Sequence, residues 1–108
     1  MYKQLSAAML LLLLIGCSKP LPADKHVYEG YWTSPQMQLL IVGDGTVDYK
    51  RVKNGGSTTI NAPLKEFDGD DFIVGIGFFD TRFVVTQPPT LIDGQWVMTV
   101  DGVILTKQ

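Results

Sequence analysis

The chain has 108 residues, nine Lys and Arg against eleven Asp and Glu, a net charge of −2, one cysteine and one histidine. That mild, interspersed charge argues against nucleic acid, whose partners are strongly basic. A single cysteine excludes an internal disulfide, and one cysteine with one histidine cannot assemble a structural zinc site. A domain of this size buries only about 60% of its unfolded surface, so its stability must come from packing.

Lys3 precedes an apolar run from Leu5 to Ile15 that only Ser6 interrupts, and Gly16 and Cys17 close it. A positive start, a short apolar core and a small residue at the cut make a secretory signal. The run falls short of the roughly 20 apolar residues that a membrane-spanning helix needs, and Ser18, Lys19, Pro20 and Pro22 follow at once. Leu14-Ile15-Gly16-Cys17 resembles the lipobox of bacterial lipoprotein precursors. The resemblance implies diacylglycerol on the Cys17 thiol, cleavage between Gly16 and Cys17, and acylation of the new amino group. Ser18, where aspartate would favour retention at the inner membrane, implies the outer membrane, facing the periplasm of a bacterial cell envelope. One acyl chain holds a protein only marginally, at about 10⁴ M⁻¹, whereas two or three make attachment practically permanent. The membrane, through lipid on Cys17, is therefore the first expected partner.

Residues 17–25 read as the lipidated cysteine and a flexible tether, since Ser18 to Lys25 holds two prolines and no apolar period. Extended at about 3.1 Å per residue, it would hold the domain roughly 25 Å off the anchor. From His26 to Gln108 turn signals recur every eight to twelve residues, as in an all-β sandwich or barrel. The expected strands are Val27–Thr33, Met37–Val42, Thr46–Val52, Thr58–Ala62, Lys65–Phe67, Phe72–Gly77, Arg82–Thr86, Gln95–Val100 and Val103–Thr106. Lys65–Phe67 can continue the fourth strand past Pro63, giving eight. Asp44-Gly45 and Asp101-Gly102 suit two-residue turns because both positions need positive φ. Asn54-Gly55-Gly56 and Asp68-Gly69 mark two more reversals, and Pro88-Pro89 opens a longer loop that closes at Asp93-Gly94.

Period-two alternation assigns a core of Tyr28, Gly30 and Trp32; Met37, Leu39 and Ile41; Val47 and Tyr49; Phe72, Val74 and Ile76; Phe83 and Val85; Trp96, Met98 and Val100; Val103 and Leu105. Such alternation marks a sheet wet on one side. The expected fold is therefore all-β: a small antiparallel meander of about eight strands, barrel-like, following the signal peptide. Gly30-x-Trp32 at its start resembles the opening signature of lipocalin-type barrels, which implies a tryptophan packed across the barrel floor. The arginine that caps it in that pattern has no identifiable counterpart here. An eight-stranded barrel is just wide enough to be filled by side chains or to hold one small ligand.

No catalytic set stands out. His26 has only Ser34 and Ser57 as potential nucleophilic partners, and neither serine sits in a nucleophile motif. Most aspartates fall in turns, where backbone chemistry explains them. Asp68-Gly69-Asp70-Asp71 offers hard oxygen ligands but lacks the rest of a calcium loop. No cofactor is implied. The apolar excess lies in Phe78-Phe79 and in Leu91-Ile92, which would form a partner patch if they met at one rim. Tyr31, facing out near Arg51 or Lys53, is a further candidate. The expected function is non-catalytic: protein interaction or envelope structure, with an envelope protein as partner. A carrier of a small apolar ligand and an inhibitor of a periplasmic hydrolase are the rivals.

Overall fold

Among the described residues, alternating apolar side chains build nine antiparallel strands into one curled sheet, a half-barrel whose concave face holds the core. The computed structural model describes residues 19–108, so the signal segment 1–16, Cys17 and Ser18 lie outside the described residues. The strands are β1 (Gly30–Thr33), β2 (Met37–Ile41), β3 (Thr46–Lys53), β4 (Gly56–Asp68), β5 (Asp71–Ile76), β6 (Phe79–Phe83), β7 (Val85–Ile92), β8 (Gln95–Val100) and β9 (Val103–Lys107). Their order in the sheet is β6-β5-β4-β3-β2-β1-β9-β8-β7. The first strand thus pairs with the last, Trp32 opposite Lys107, and the two sheet edges are β6 and β7.

β2 shows the logic most clearly: Met37, Leu39 and Ile41 are buried while Gln38 and Leu40 face out. Long β4 serves two partners. Gly56–Pro63 pairs with β3 and Leu64–Asp68 with β5, with a register shift between Leu64 and Glu66 where the strand turns the corner. Lys65–Phe67 therefore continues the fourth strand. The expected loop from Pro88 is instead strand: β7 runs to Ile92, and Asp93-Gly94 is a tight two-residue turn. An edge strand needs its N–H groups on one side only, so the missing donors of Pro88 and Pro89 are tolerated, and two register shifts between Val85 and Thr90 absorb them.

The segment expected to be a free tether is packed. Leu21 is buried, its N–H donating to the Gly43 carbonyl at 3.2 Å. Ala23–Tyr28 forms a 3-10 helix, so the first strand begins at Gly30 rather than Val27. Tyr28 is buried edge-on against Phe67 at 5.0 Å, and its hydroxyl donates to the Asp70 carbonyl at 2.9 Å. Lys25 lies over the same two rings and donates to the Gly69 carbonyl. This segment plugs the curl. Within it Trp32, Phe72, Phe83, Leu39 and Met98 are wholly enclosed, with Phe72 stacked on Phe83 at 5.0 Å.

The chain passes from one sheet edge to the other at Val84. Val84 exchanges backbone and side-chain bonds with Asp101, and the Val85 N–H donates to the Asp71 carboxylate at 2.8 Å. Arg82 donates to Asp71 at 3.1 Å and to Asp68 at 2.9 Å, and these bonds raise its already high pKa. The acidic tetrad is thus largely occupied as the clasp of the seam, and its turn is Gly69-Asp70 rather than Asp68-Gly69.

Burial, reinforced by the charges of Asp70 and Asp71, pushes the Tyr28 hydroxyl up to about 12 from 10.0. The fold favours the neutral phenol, so this contribution is complete below the unfolded pKa of about 10 and is lost as pH climbs toward 12. Burial raises Tyr49 as well, so an alkaline absorbance titration should show more than one delayed tyrosine, and the latest step should disappear in Tyr28→Phe. Replacing Asp71 by Ala should cost about 1–3 kcal/mol, because it strips a partner from the Val85 N–H and from Arg82. Asp80→Ala, which loses only an exposed ion pair, should cost less than about 1 kcal/mol in the same urea titration.

Candidate functional site

The end of the molecule where the described chain begins carries a groove and the exposed aromatic side chains Phe78 and Phe79. Lys19 lies across the turn between β2 and β3. Gly45 there is buried, has φ +96, and any Cβ would collide with the Lys19 carbonyl. This turn is longer than a two-residue hairpin, and its Asp44 carboxylate accepts from the Thr46 N–H at 2.9 Å, which lowers the Asp44 pKa. The Gly45 carbonyl in turn accepts from the Leu64 N–H at 2.7 Å. Next to it, Lys65 donates to the Gly77 carbonyl at 2.7 Å and pairs with Asp80 at 2.6 Å, which pins the β5–β6 hairpin. Between these parts lies a groove of about 560 Å³ walled by Lys19, Pro63, Leu64, Lys65 and Gly75 to Gly77.

Above the groove stands the hairpin tip. Gly77 supplies the positive φ of +63 that the turn needs. Phe78 beside it is fully exposed, and Phe79 is 85% exposed. Ile76, expected in the core by alternation, is 64% exposed. It pairs with Phe79 at the end of β5 and lines the groove instead of the core.

The expected single rim does not form. β6 and β7 make one run of chain interrupted only by Val84; Phe78 and Phe79 mark its start and Leu91 and Ile92 its end. Leu91 and Ile92 are exposed on the edge strand, opposite Trp96 and Gln95. They form a second patch. Tyr31 does face outward, but its neighbours across the sheet are Leu40 and then Asp48, since Arg51 sits opposite Met37. Cys17, the proposed lipid attachment point, lies outside the described residues.

The Gly30-x-Trp32 pair has a physical explanation. Trp32 is wholly buried with its indole N–H on the Tyr28 carbonyl at 2.9 Å. Lys107 spreads over it, its ammonium 5.4 Å from the Trp32 ring and 5.8 Å from Trp96. Gly30 leaves the space that the Lys107 stem occupies. The cation over Trp32 is a lysine from the last strand, and Trp96 is partly exposed beside it rather than fully in the core. His26 is exposed on the 3-10 helix, and the Ser34 hydroxyl accepts from the Met37 N–H at 3.0 Å in a turn. Among the described residues no group of three or more His, Cys, Asp and Glu is placed to hold a metal ion.

Comparison with family models, curated proteins and solved structures finds no match to this chain. The reading of its function therefore rests on the residues themselves.

Gly45→Ala should lower stability by roughly 1–3 kcal/mol through strain at positive φ and displacement of Lys19. Gly55→Ala, also at positive φ but with open space around it, should cost less in thermal unfolding. The difference between the two reads the seating of Lys19.

Proposed function

We propose that the chain is the precursor of a lipid-anchored cell-envelope lipoprotein whose β domain acts by binding an envelope protein or as a structural accessory, without catalysis. The observation that carries this reading is Leu14-Ile15-Gly16-Cys17 placed immediately ahead of a folded domain, with Lys19 already seated on it. The outer membrane, facing the periplasm, is the proposed location, from Ser18 in the sorting position.

Support for binding over catalysis comes from how the polar residues are used. Asp68, Asp71 and Asp101 are engaged in the seam, Ser34 in a turn, and His26 has no nucleophile set around it. Support for interaction comes from Leu91 and Ile92, exposed on an edge whose prolines discourage indiscriminate strand pairing. The carrier reading draws on Trp32 beneath Lys107, but the enclosed aromatic and aliphatic side chains fill the curl where a ligand would sit. It ranks second.

Expression of the full chain in a bacterium fed labelled palmitate tests the anchor. The protein should take up label, partition with membranes and begin at Cys17 by mass spectrometry. Cys17→Ser should lose the label, keep residues 1–16 and accumulate unprocessed. A wild-type chain with a free thiol would refute the proposal.

A further inference from the structure

We infer that the β5–β6 hairpin, with Ile76, Phe78 and Phe79 at its tip and Lys19 beside it, rests in the headgroup region of the membrane that anchors Cys17. The domain is thereby held against the bilayer instead of being suspended above it. This rests on lipid attachment at Cys17.

The first argument is turn chemistry. The described residues contain five two-residue hairpin turns: Asn54-Gly55, Gly69-Asp70, Gly77-Phe78, Asp93-Gly94 and Asp101-Gly102. In four of them glycine is joined by Asn or Asp, the residues that such turns favour. At Gly77-Phe78, as at Gly69-Asp70, the glycine alone takes the positive φ, but here a fully exposed Phe78 ring stands where the other turn has Asp. Ile76 and Phe79 extend the same apolar surface past the core.

The second argument is position. Lys19 walls the groove at the foot of this hairpin, and Cys17 is two residues before it in the chain. Two residues span at most about 7 Å. A lipid on Cys17 must therefore enter the bilayer on the hairpin's side of the domain.

Charge at this end is balanced: Asp80 is paired with Lys65, and exposed Lys19 lies across the turn that carries the Asp44 carboxylate and the nearby Glu29 carboxylate. The acids Asp68, Asp70 and Asp71 gather at the opposite end of β5. The exposed apolar tip, rather than charge, is what would hold the hairpin at a lipid interface. The anchor also makes contact intramolecular, so a three-residue tip suffices where a free domain would need more.

The test uses the full lipidated protein reconstituted into vesicles of phosphatidylethanolamine and phosphatidylglycerol with brominated acyl chains, which quench indole emission on contact. Phe79→Trp and Ile104→Trp each add a tryptophan at an exposed position, the latter on β9, six strands from β6 in the sheet order. With the emission of Trp32 and Trp96 subtracted, the Phe79→Trp indole should lose most of its signal and the Ile104→Trp indole should keep it. Equal emission from both, in protein that still floats with the vesicles, would overturn the inference while leaving the anchor intact. That result is also expected if the hairpin instead docks on a protein, because the vesicles contain none. Protein that carries no lipid and does not float would remove both readings.

Discussion

A nine-stranded meander leaves two edges to be dealt with, and here one carboxylate binds them together. Asp71, at the start of β5, accepts the Val85 N–H from the first residue of the far edge and holds Arg82 of the near edge. Asp101 brackets the Val84 backbone between them. Phe83 and Val85 can both point inward because the crossing residue between them is held in an extended conformation. Hydrogen bonds to a charged acceptor are the stronger kind, and these are placed where the sheet would otherwise open. Curling removes much of the exposed edge that invites pairing between molecules, and Pro88 and Pro89 block part of what remains.

With the curl closed on one side by carboxylates, the N-terminal segment fills it from another. Leu21 and Tyr28 contribute buried surface that a domain with no disulfide could hardly spare, and the Tyr28 carbonyl receives the indole N–H of Trp32. Above Trp32 the Lys107 ammonium sits on the ring face, a cation–π contact worth about 0.5–2 kcal/mol depending on its hydration. The first strand, the last strand and the plug therefore depend on one ring.

Most strand positions, the antiparallel meander and nearly all of the core were legible in the sequence, because period-two burial and Asx-Gly turns are local signals. The expected strand Arg82–Thr86 instead straddles Val84, where β6 ends and β7 begins. The misreadings have a common cause: each was decided by a contact distant in sequence. Pro20, Leu21 and Pro22 read as a tether until Gly43 and Gly45, more than twenty residues on, provide their dock. Pro88-Pro89 read as a loop because nothing local states that β7 lies at an edge. Ile76 fits the alternation of β5 perfectly but, at the end of that strand, lines the groove instead of the core. Lys107 could not be matched to Trp32 by any spacing rule, since the pair meets only when β9 joins β1. The exposed aromatics were visible, but their separation from Leu91 and Ile92 follows from strand direction, which composition does not carry.

These corrections change the geometry of the anchored state more than the fold. An extended tether would leave the domain free to tumble and present any face. A chain seated from Lys19 leaves two residues of slack after the proposed lipid site, so under that proposal orientation becomes a property of the fold. The end bearing Lys19, the groove and the Phe78–Phe79 hairpin must then be the proximal one. The acid-rich seam at the start of β5 faces away from it, and a partner in the surrounding compartment would meet that end or the edge at Leu91 and Ile92. With Lys19 seated, the two apolar patches lie at different places relative to the proposed anchor, so the proposal gives them different neighbours although both have the same kind of side chain.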